Sequence, residues 1–417
     1  MPIDRSADSL PAGGRTRPAR RRRLGRALLA LAAVVAGALP LSGPAPASAA
    51  GGRPRGPLVP GSGFYVGAYT KHPDGYGIDK QKQAIKDLES RLGRRLHIDH
   101  QFYGWDDDFP TWREPWDLEQ DRIPLISWNG TNTDRIAAGA YDGLILKRAE
   151  GVRDLGRPVF LRWFWEMDGT RHQDWTVSPA SYVNAWRRIH DLFAAANATN
   201  AVWVWCPNAS AFDDDAMSYY PGDAYVDWVC ADGYNFAPNR PNDRWRTFAE
   251  IFEPFYAAGL RLRKPMMIGE TGVLERDPGE KAQWFHEAHD AIAARFPAIA
   301  ALVYFNADST EKGIYYQWSV DTSPSAFEGF RYLFTGPAPV PPPPSAEAES
   351  PAPPDLVVSA PDPVPAPAPR ARPKAPASAP PLTLSTGTDA PKAAPGLPRA
   401  PSAHLRWVLQ LLRQLEY

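Results

Sequence analysis

The sequence predicts a (β/α)8 barrel, an α/β TIM-barrel fold, carrying a disordered proline-rich C-terminal tail. Three observations lead there. Eight short apolar runs alternate with helical patterns between Gly63 and Phe334, which is the element count such a barrel requires. Several of the runs are apolar throughout rather than alternating, as parallel strands covered on both faces are. The rival architecture, an open doubly wound sheet, usually carries a Gly-rich phosphate turn after its first strand. Here the first run is followed by Thr70-Lys71-His72-Pro73-Asp74, which is no such turn.

The strand-like runs fall at Phe64–Tyr69, Leu96–Tyr103, Ile123–Trp128, Val159–Trp165, Val202–Cys206, Val226–Ala231, Pro265–Gly269 and Ala301–Phe305. The clearest helical periodicities between them are Gln81–Leu92, Ala180–Ala196, Arg246–Ala258 and Glu280–Arg295.

Outside the barrel, expected at 63–335, the composition changes. Residues 1–49 read as an export signal: a basic region with Arg20 to Arg23, an apolar stretch Ala27–Leu41, and the small-x-small pattern Ala47-Ser48-Ala49. The apolar stretch is shorter than the ~20 residues that span a bilayer, and either Sec or twin-arginine export fits it. The expectation is therefore a secreted or cell-surface protein. The leader holds eight Arg and two Asp, so its removal takes the net charge from −1 to −7. An acidic exported chain argues against nucleic acid as a partner. Residues 50–62 read as an N-terminal linker. Residues 336–402 hold 22 of the 46 prolines, mostly with Ala and Ser between them, and read as a disordered linker or wall-spanning stalk. Residues 403–417 carry a short amphipathic helical stripe through Leu405, Val408, Leu409 and Leu412, a candidate contact with the cell envelope. The two cysteines, Cys206 and Cys230, each end an apolar run two residues before a polar one. They form either a disulfide, which export permits, or two buried thiols.

In a barrel of this kind the site lies at the C-terminal ends of the strands. The polar residues there are Asn129 after Trp128, Glu166, Asp232 and Tyr234, Glu270, and Asn306 with Asp308. Glu166 and Glu270 end the fourth and seventh runs, three βα units apart, so they face each other across the barrel mouth. Paired carboxyl groups suit glycoside hydrolysis: one donates a proton to the leaving oxygen and the other attacks the anomeric carbon. The aromatic setting of Glu166, in Arg162-Trp-Phe-Trp-Glu-Met-Asp-Gly169, disfavours its ionised form. Arg162 and Tyr234 are candidates to hold Glu270 ionised and aimed. Either glutamate alone would read as an ordinary strand-end carboxylate in a salt bridge; the pair at this spacing reads as chemistry.

Sugars stack their C–H faces on aromatic rings. Trp105, Trp112, Trp116, Trp128, Trp165 and Trp175 fall in or beside strand-end loops, whereas Trp186 and Trp203 read as core. Other chemistries lack their motifs. His286 and His289 miss the zinc-protease spacing by one residue and read as surface positions on a helix. His97 and His100 are out of phase along their strand and cannot share a face. No Gly-x-Ser-x-Gly elbow, P-loop or Cys-x-x-Cys occurs. No cofactor and no metal is expected.

At these residues the chain resembles glycoside hydrolase family 26, best known for endo-β-mannanases. Three segments carry the resemblance: FLRWFWEMDG around Glu166, VDWVCADGYN around Asp232 and Tyr234, and PMMIGETG around Glu270. It implies a barrel enzyme that retains anomeric configuration, with Glu166 as acid/base, Glu270 as nucleophile and Tyr234 donating to the nucleophile. Arg162 and Asp232 match further site positions, and Trp165, Trp128 and Asn129 complete the expected substrate-binding set. One departure concerns the sugar. The resemblance implies His just before the acid/base and an aromatic residue a few positions later; this chain has Trp165 and Thr170-Arg171-His172. The resulting expectation is a secreted retaining endo-β-glycosidase acting on a polysaccharide, first of all β-1,4-mannan, with β-1,3/1,4-glucan and β-1,3-xylan as alternatives. The alternative of another class is a catalytically weak carbohydrate-binding envelope protein.

Overall fold

The computed structural model describes residues 55–72, 77–169, 174–240, 243–311 and 313–335. The expected leader, the proline-rich segment, the C-terminal helical stripe and the positions Thr170, Arg171 and His172 lie outside the described residues.

Eight parallel strands close into a barrel in chain order. They are β1 (Tyr65–Thr70), β2 (Ile98–Tyr103), β3 (Ile123–Trp128), β4 (Val159–Trp163), β5 (Ala201–Trp205), β6 (Trp228–Asn235), β7 (Met266–Val273) and β8 (Ile299–Asn306). Closure is made by β1 against β8, in register from Tyr65 opposite Ala301 to Thr70 opposite Asn306. Around them run α1 (Ile78–Leu92), α2 (Arg113–Glu119), α3 (Thr133–Ala137), α4 (Asp142–Asp154), α5 (Pro179–Ala195), α6 (Phe248–Leu262), α7 (Glu280–Ala294) and α8 (Pro324–Tyr332). A small hairpin, β9 (Ser309–Glu311) and β10 (Ile314–Tyr316), follows β8.

Local chemistry sets the helix ends. Ser178 caps α5 by accepting from the Ser181 N–H, with Pro179 in the first turn. Thr247 and Glu250 form a capping box on α6. Gly93 ends α1 at φ 70°, the left-handed conformation that favours glycine.

The short helix α2 carries almost no apolar stripe, and its inner face shows why. Arg113 reaches Asp99 of β2 at 2.6 Å and Arg122 reaches Asp117 at 2.8 Å, all four being buried. Tyr103 also donates to the buried Glu114. Buried ion pairs replace apolar contacts there, so hydrophobic periodicity does not mark the helix. Residues 55–62, expected as a linker, pack onto the barrel: Trp228 Nε1 donates to the Pro57 carbonyl at 2.8 Å, and Leu58 and Val59 lie against the interior cluster.

The barrel interior is layered. Its apolar part includes Ile98, Leu125, Phe160, Val202 and Met267. Two residues further along the strands come His100, Ser127 and Arg162, all buried. Another two residues along β2 is Phe102, which joins Tyr69, Trp165 and Phe305 in an aromatic layer. His97 lies outside this interior row, as its phase requires: it precedes β2 and its Nδ1 accepts from the Val66 N–H at 2.9 Å. Cys206, the residue after β5, and Cys230 of β6 are joined by a disulfide. His286 is exposed and packs on Tyr332, as expected of a surface position.

Candidate active site

Arg162 lies at the centre of the charged layer, fully buried inside the barrel. Its fork is used from every side. Nη1 donates to both carboxylate oxygens of Asp232, at 2.9 and 2.8 Å. Nη2 donates to Glu270 Oε1 at 2.5 Å. Nε donates to Ser127 Oγ at 2.7 Å. One cation thus holds two carboxylates from adjacent strands. Burial pushes the Asp232 carboxyl well up, with the Arg162 guanidinium opposing.

Glu270 has its second oxygen, Oε2, accepting from the Tyr234 hydroxyl at 2.7 Å. Burial and then the nearby Glu270 charge push the Tyr234 phenol well up, so it remains a donor across the working pH range. Two donors on two oxygens fix the carboxylate plane. Glu270 is aimed inward by a bulge. Between β6 and β7, Ala231 pairs with Ile268 but Asp232 pairs with Glu270, leaving Gly269 as the extra residue of β7. A Cβ at Gly269 would lie 2.4 Å from Cys230 Sγ, 2.8 Å from Asp232 Oδ1 and 2.9 Å from Arg162 Nη1. Only glycine lets the strand pass this close to the charged layer.

Glu166 is placed by another backbone device. The chain leaves β4 with Phe164 at φ 45° and Glu166 at φ 53°. A left-handed conformation at a non-glycine residue costs on the order of 1–3 kcal/mol and has to be held by its surroundings. Here the Phe164 N–H donates to the Trp128 carbonyl and the Glu166 N–H to the Cys206 carbonyl, each at 2.8 Å. Below the turn, Trp165 packs its ring 5.1 Å from Phe102 and 5.1 Å from the Arg162 guanidinium carbon.

Glu166, Trp165, Asp232, Tyr234 and Glu270 all line one cavity of about 400 Å³ at the C-terminal face of the barrel. Arg162 lies directly beneath. Glu166 is half-buried on the wall, whereas Glu270 is buried. Both glutamates act electrostatically on Arg162, Asp232 and Tyr234.

Two of the expected substrate contacts are elsewhere. Trp128 is fully buried, stacks on Trp105 with centroids 4.6 Å apart, and donates from Nε1 to the Trp105 carbonyl at 3.1 Å. Asn129 is buried and turns its Oδ1 to the Gly130 N–H. These side chains build the loop after β3, and neither lines the cavity. Trp112 and Trp116 pack on each other and on Lys82, away from the cavity lining. Asn306 and Asp308 secure the loop after the hairpin by accepting from the N–H groups of Val320 and Ser319.

Sequence reasoning missed other lining residues. Tyr69, Phe102 and Phe305 come from strands read only as apolar. Trp318, which stacks on Tyr316 and packs 5.0 Å from Tyr234, comes from beyond the hairpin, where no periodic signal points. Asn208 lines the cavity and is tied by its N–H and Nδ2 to Asp168 at 2.9 and 3.0 Å. Among the described residues, one cluster with metal-ligand chemistry occurs, Cys206, Cys230 and Asp232; its two sulfurs are spent on the disulfide.

Residues 125–295, which contain both glutamates, match the model of Glycosyl hydrolase family 26. The segment that holds the site is thus similar to glycosyl hydrolase family 26. Endoglucanase H of Acetivibrio thermocellus is similar at 30% identity over 285 residues, which is 65% of this chain and 30% of that protein. Mannan endo-1,4-beta-mannosidase A and B of Caldalkalibacillus mannanilyticus is 34% identical over 124 residues, 28% of this chain and 24% of the relative. A beta-1,3-xylanase of an Alcaligenes species is 33% identical over 108 residues, covering 25% and 22%. The chain spans less than a third of the length of these relatives. The crystal structure of a ruminal GH26 endo-beta-1,4-mannanase superposes with a TM-score of 0.50 at 16% identity, covering 68% of this chain and 65% of that one, a likeness of fold.

Proposed function

We propose that this protein is a retaining endo-β-glycosidase that cleaves a β-linked polysaccharide by double displacement between Glu166 and Glu270. The observation that carries the reading is the pair of carboxyl groups on one cavity, with Glu270 held at both oxygens by Arg162 and Tyr234. A carboxylate so held makes a fixed nucleophile. Glu166, on the wall, protonates the leaving glycosidic oxygen as Glu270 bonds to the anomeric carbon. Glu166 then takes a proton from a water, which displaces Glu270 and releases the sugar with its configuration retained. Asp232 shares Arg162 with Glu270 and holds the guanidinium in place from the other side. The aromatic side chains of the cavity, Tyr69, Phe102, Trp165, Phe305 and Trp318, suit the apolar face of a pyranose ring.

The family 26 resemblance makes β-1,4-mannan the first substrate reading. A second is a β-glucan. It is favoured by Trp165, which presents an indole packed on Arg162 beside the acid/base where the family's mannanases have a polar ring, and by the relative aligned over 285 residues being named an endoglucanase. The leader at 1–49 and the segment 336–402 support export to the envelope or medium.

The test incubates the full chain with glucomannan, galactomannan, lichenan, laminarin, β-1,3-xylan and β-1,4-xylan, and measures the oligosaccharides formed. Expected are products from a mannan or a β-glucan, lost by at least about a thousandfold in Glu166→Ala and Glu270→Ala on natural substrates, with folding unchanged. Equal activity in either variant would remove that residue from its role. No product from any glycan would favour the carbohydrate-binding alternative.

A further inference from the structure

Beneath the catalytic pair, the Arg162 guanidinium is met from a fourth side by a histidine that the mechanism above leaves unused. We propose that His100, together with Ser127, is a positioning residue: it accepts from the same Arg162 nitrogen that holds Glu270, and so fixes the direction from which the nucleophile is gripped. This rests on Glu270 being the nucleophile.

His100 is fully buried on β2. Its Nε2 lies 3.1 Å from Arg162 Nη2 and 2.7 Å from Ser127 Oγ. Arg162 Nη2 carries only donor hydrogens. One points to Glu270 Oε1, 2.5 Å away, and the other meets the His100 ring. The facing ring nitrogen must therefore carry a lone pair, which places the proton of the neutral ring on Nδ1. Ser127 Oγ accepts from Arg162 Nε, leaving its hydroxyl hydrogen to share the single Nε2 lone pair with the Arg162 N–H in a three-centre arrangement. The opposite tautomer would set Nε2–H against an Arg162 N–H at 3.1 Å, and an imidazolium would add a second cation in a dry interior. Burial, then Arg162 and Arg113, push the imidazole well below its ordinary range, so the neutral form is kept. The arrangement has a cost: His100 Nδ1 has no hydrogen-bond partner. A buried ring that leaves one nitrogen unpartnered while committing the other to Arg162 is shaped by the second contact. Without His100, the guanidinium keeps Asp232 and Ser127 but loses the acceptor that divides the two Nη2 hydrogens.

The experiment compares His100→Leu with His100→Gln in the full chain, beside the wild type on whichever glycan of the panel it cleaves. Glutamine can return an acceptor near the Nε2 position; leucine cannot. Expected is a loss of about 10- to 100-fold in kcat for His100→Leu with KM nearly unchanged, and recovery of most of it in His100→Gln. An unchanged kcat in His100→Leu overturns the proposal, as does an equal loss in both variants when both are folded. A second measurement needs no activity. Long-range 1H–15N NMR of the wild-type imidazoles, with the His100 signals identified by their absence in His100→Gln, is expected to show His100 neutral with its proton on Nδ1 at pH 6.5. A proton on Nε2, or an imidazolium, overturns the proposal even where His100→Leu does not fold. A wild type inactive on every glycan would count against the glycosidase reading, while the NMR result would still decide the His100 geometry.

Discussion

At the scale of single residues, the two histidines of the β2 region show how one amino-acid type is put to different uses by position. His100 lies inside the barrel, against the Arg162 nitrogen that holds Glu270. His97 lies outside it, its Nδ1 accepting from the Val66 N–H and its ring against Tyr65 and Phe334. Burial, reinforced by Arg94, lowers the His97 pKa from 6.5 to about 4. A folded-state value below the unfolded one means that the unfolded chain takes up the proton first as pH falls. Stability is therefore full above pH 6.5 and declines between pH 6.5 and about 4, by on the order of 3 kcal/mol from this residue. His97→Asn keeps an acceptor for Val66 and does not titrate. Urea unfolding of this variant is expected to show a shallower loss of stability over that window than the wild type, whereas the same slope in both would refute the assignment. At this scale the sequence marked Glu166, Glu270, Tyr234, Asp232 and Arg162 because strand ends and residue type identify them. It did not distinguish Trp165, on the cavity wall, from Trp128, which is buried under Trp105. Both follow an apolar run, and only packing tells which faces the cavity.

Elements explain how the marked residues come to face one another. Strand alternation alone would turn Glu270 away from the interior side of Met267. The bulge at Gly269 corrects the phase, and the three close contacts that a Cβ would make show why the position is glycine. Gly269→Ala is expected to lose about 1–3 kcal/mol of stability through overpacking against Cys230, Asp232 and Arg162. It should also lose activity at temperatures where it remains folded, because the crowding falls on the clamp itself. Unfolding curves and kinetics on the same preparation check this, and an unperturbed variant would contradict the geometry. The eight strands were legible as apolar runs, and α1, α5, α6 and α7 as periodic ones. The helices α2, α3, α4 and α8 were not marked. In α2 the buried face is charged, and α3 has only five residues, too few to show a period. β6 and β7 run on beyond the apolar residues, to Asn235 and Val273, because the charges at Asp232 and Glu270 are satisfied by Arg162 and do not end the ladder.

At the largest scale, the described residues form a barrel whose interior changes character along its axis, from aliphatic packing to a charged layer to an aromatic mouth. The charged layer is confined to the end at which a (β/α)8 barrel places its chemistry. Its single guanidinium, shared by two carboxylates and oriented by Ser127 and His100, makes Glu270 a fixed carboxylate opposite Glu166. That arrangement is the central claim, and its consequence is stereochemical. The most direct test is 1H NMR of the anomeric protons during the first minutes of hydrolysis of the best substrate. Double displacement predicts that the β-anomer of the new reducing end appears first and the α-anomer only later, by mutarotation. Initial appearance of the α-anomer would mean that water attacks directly, and Glu270 would then be a base and not the nucleophile.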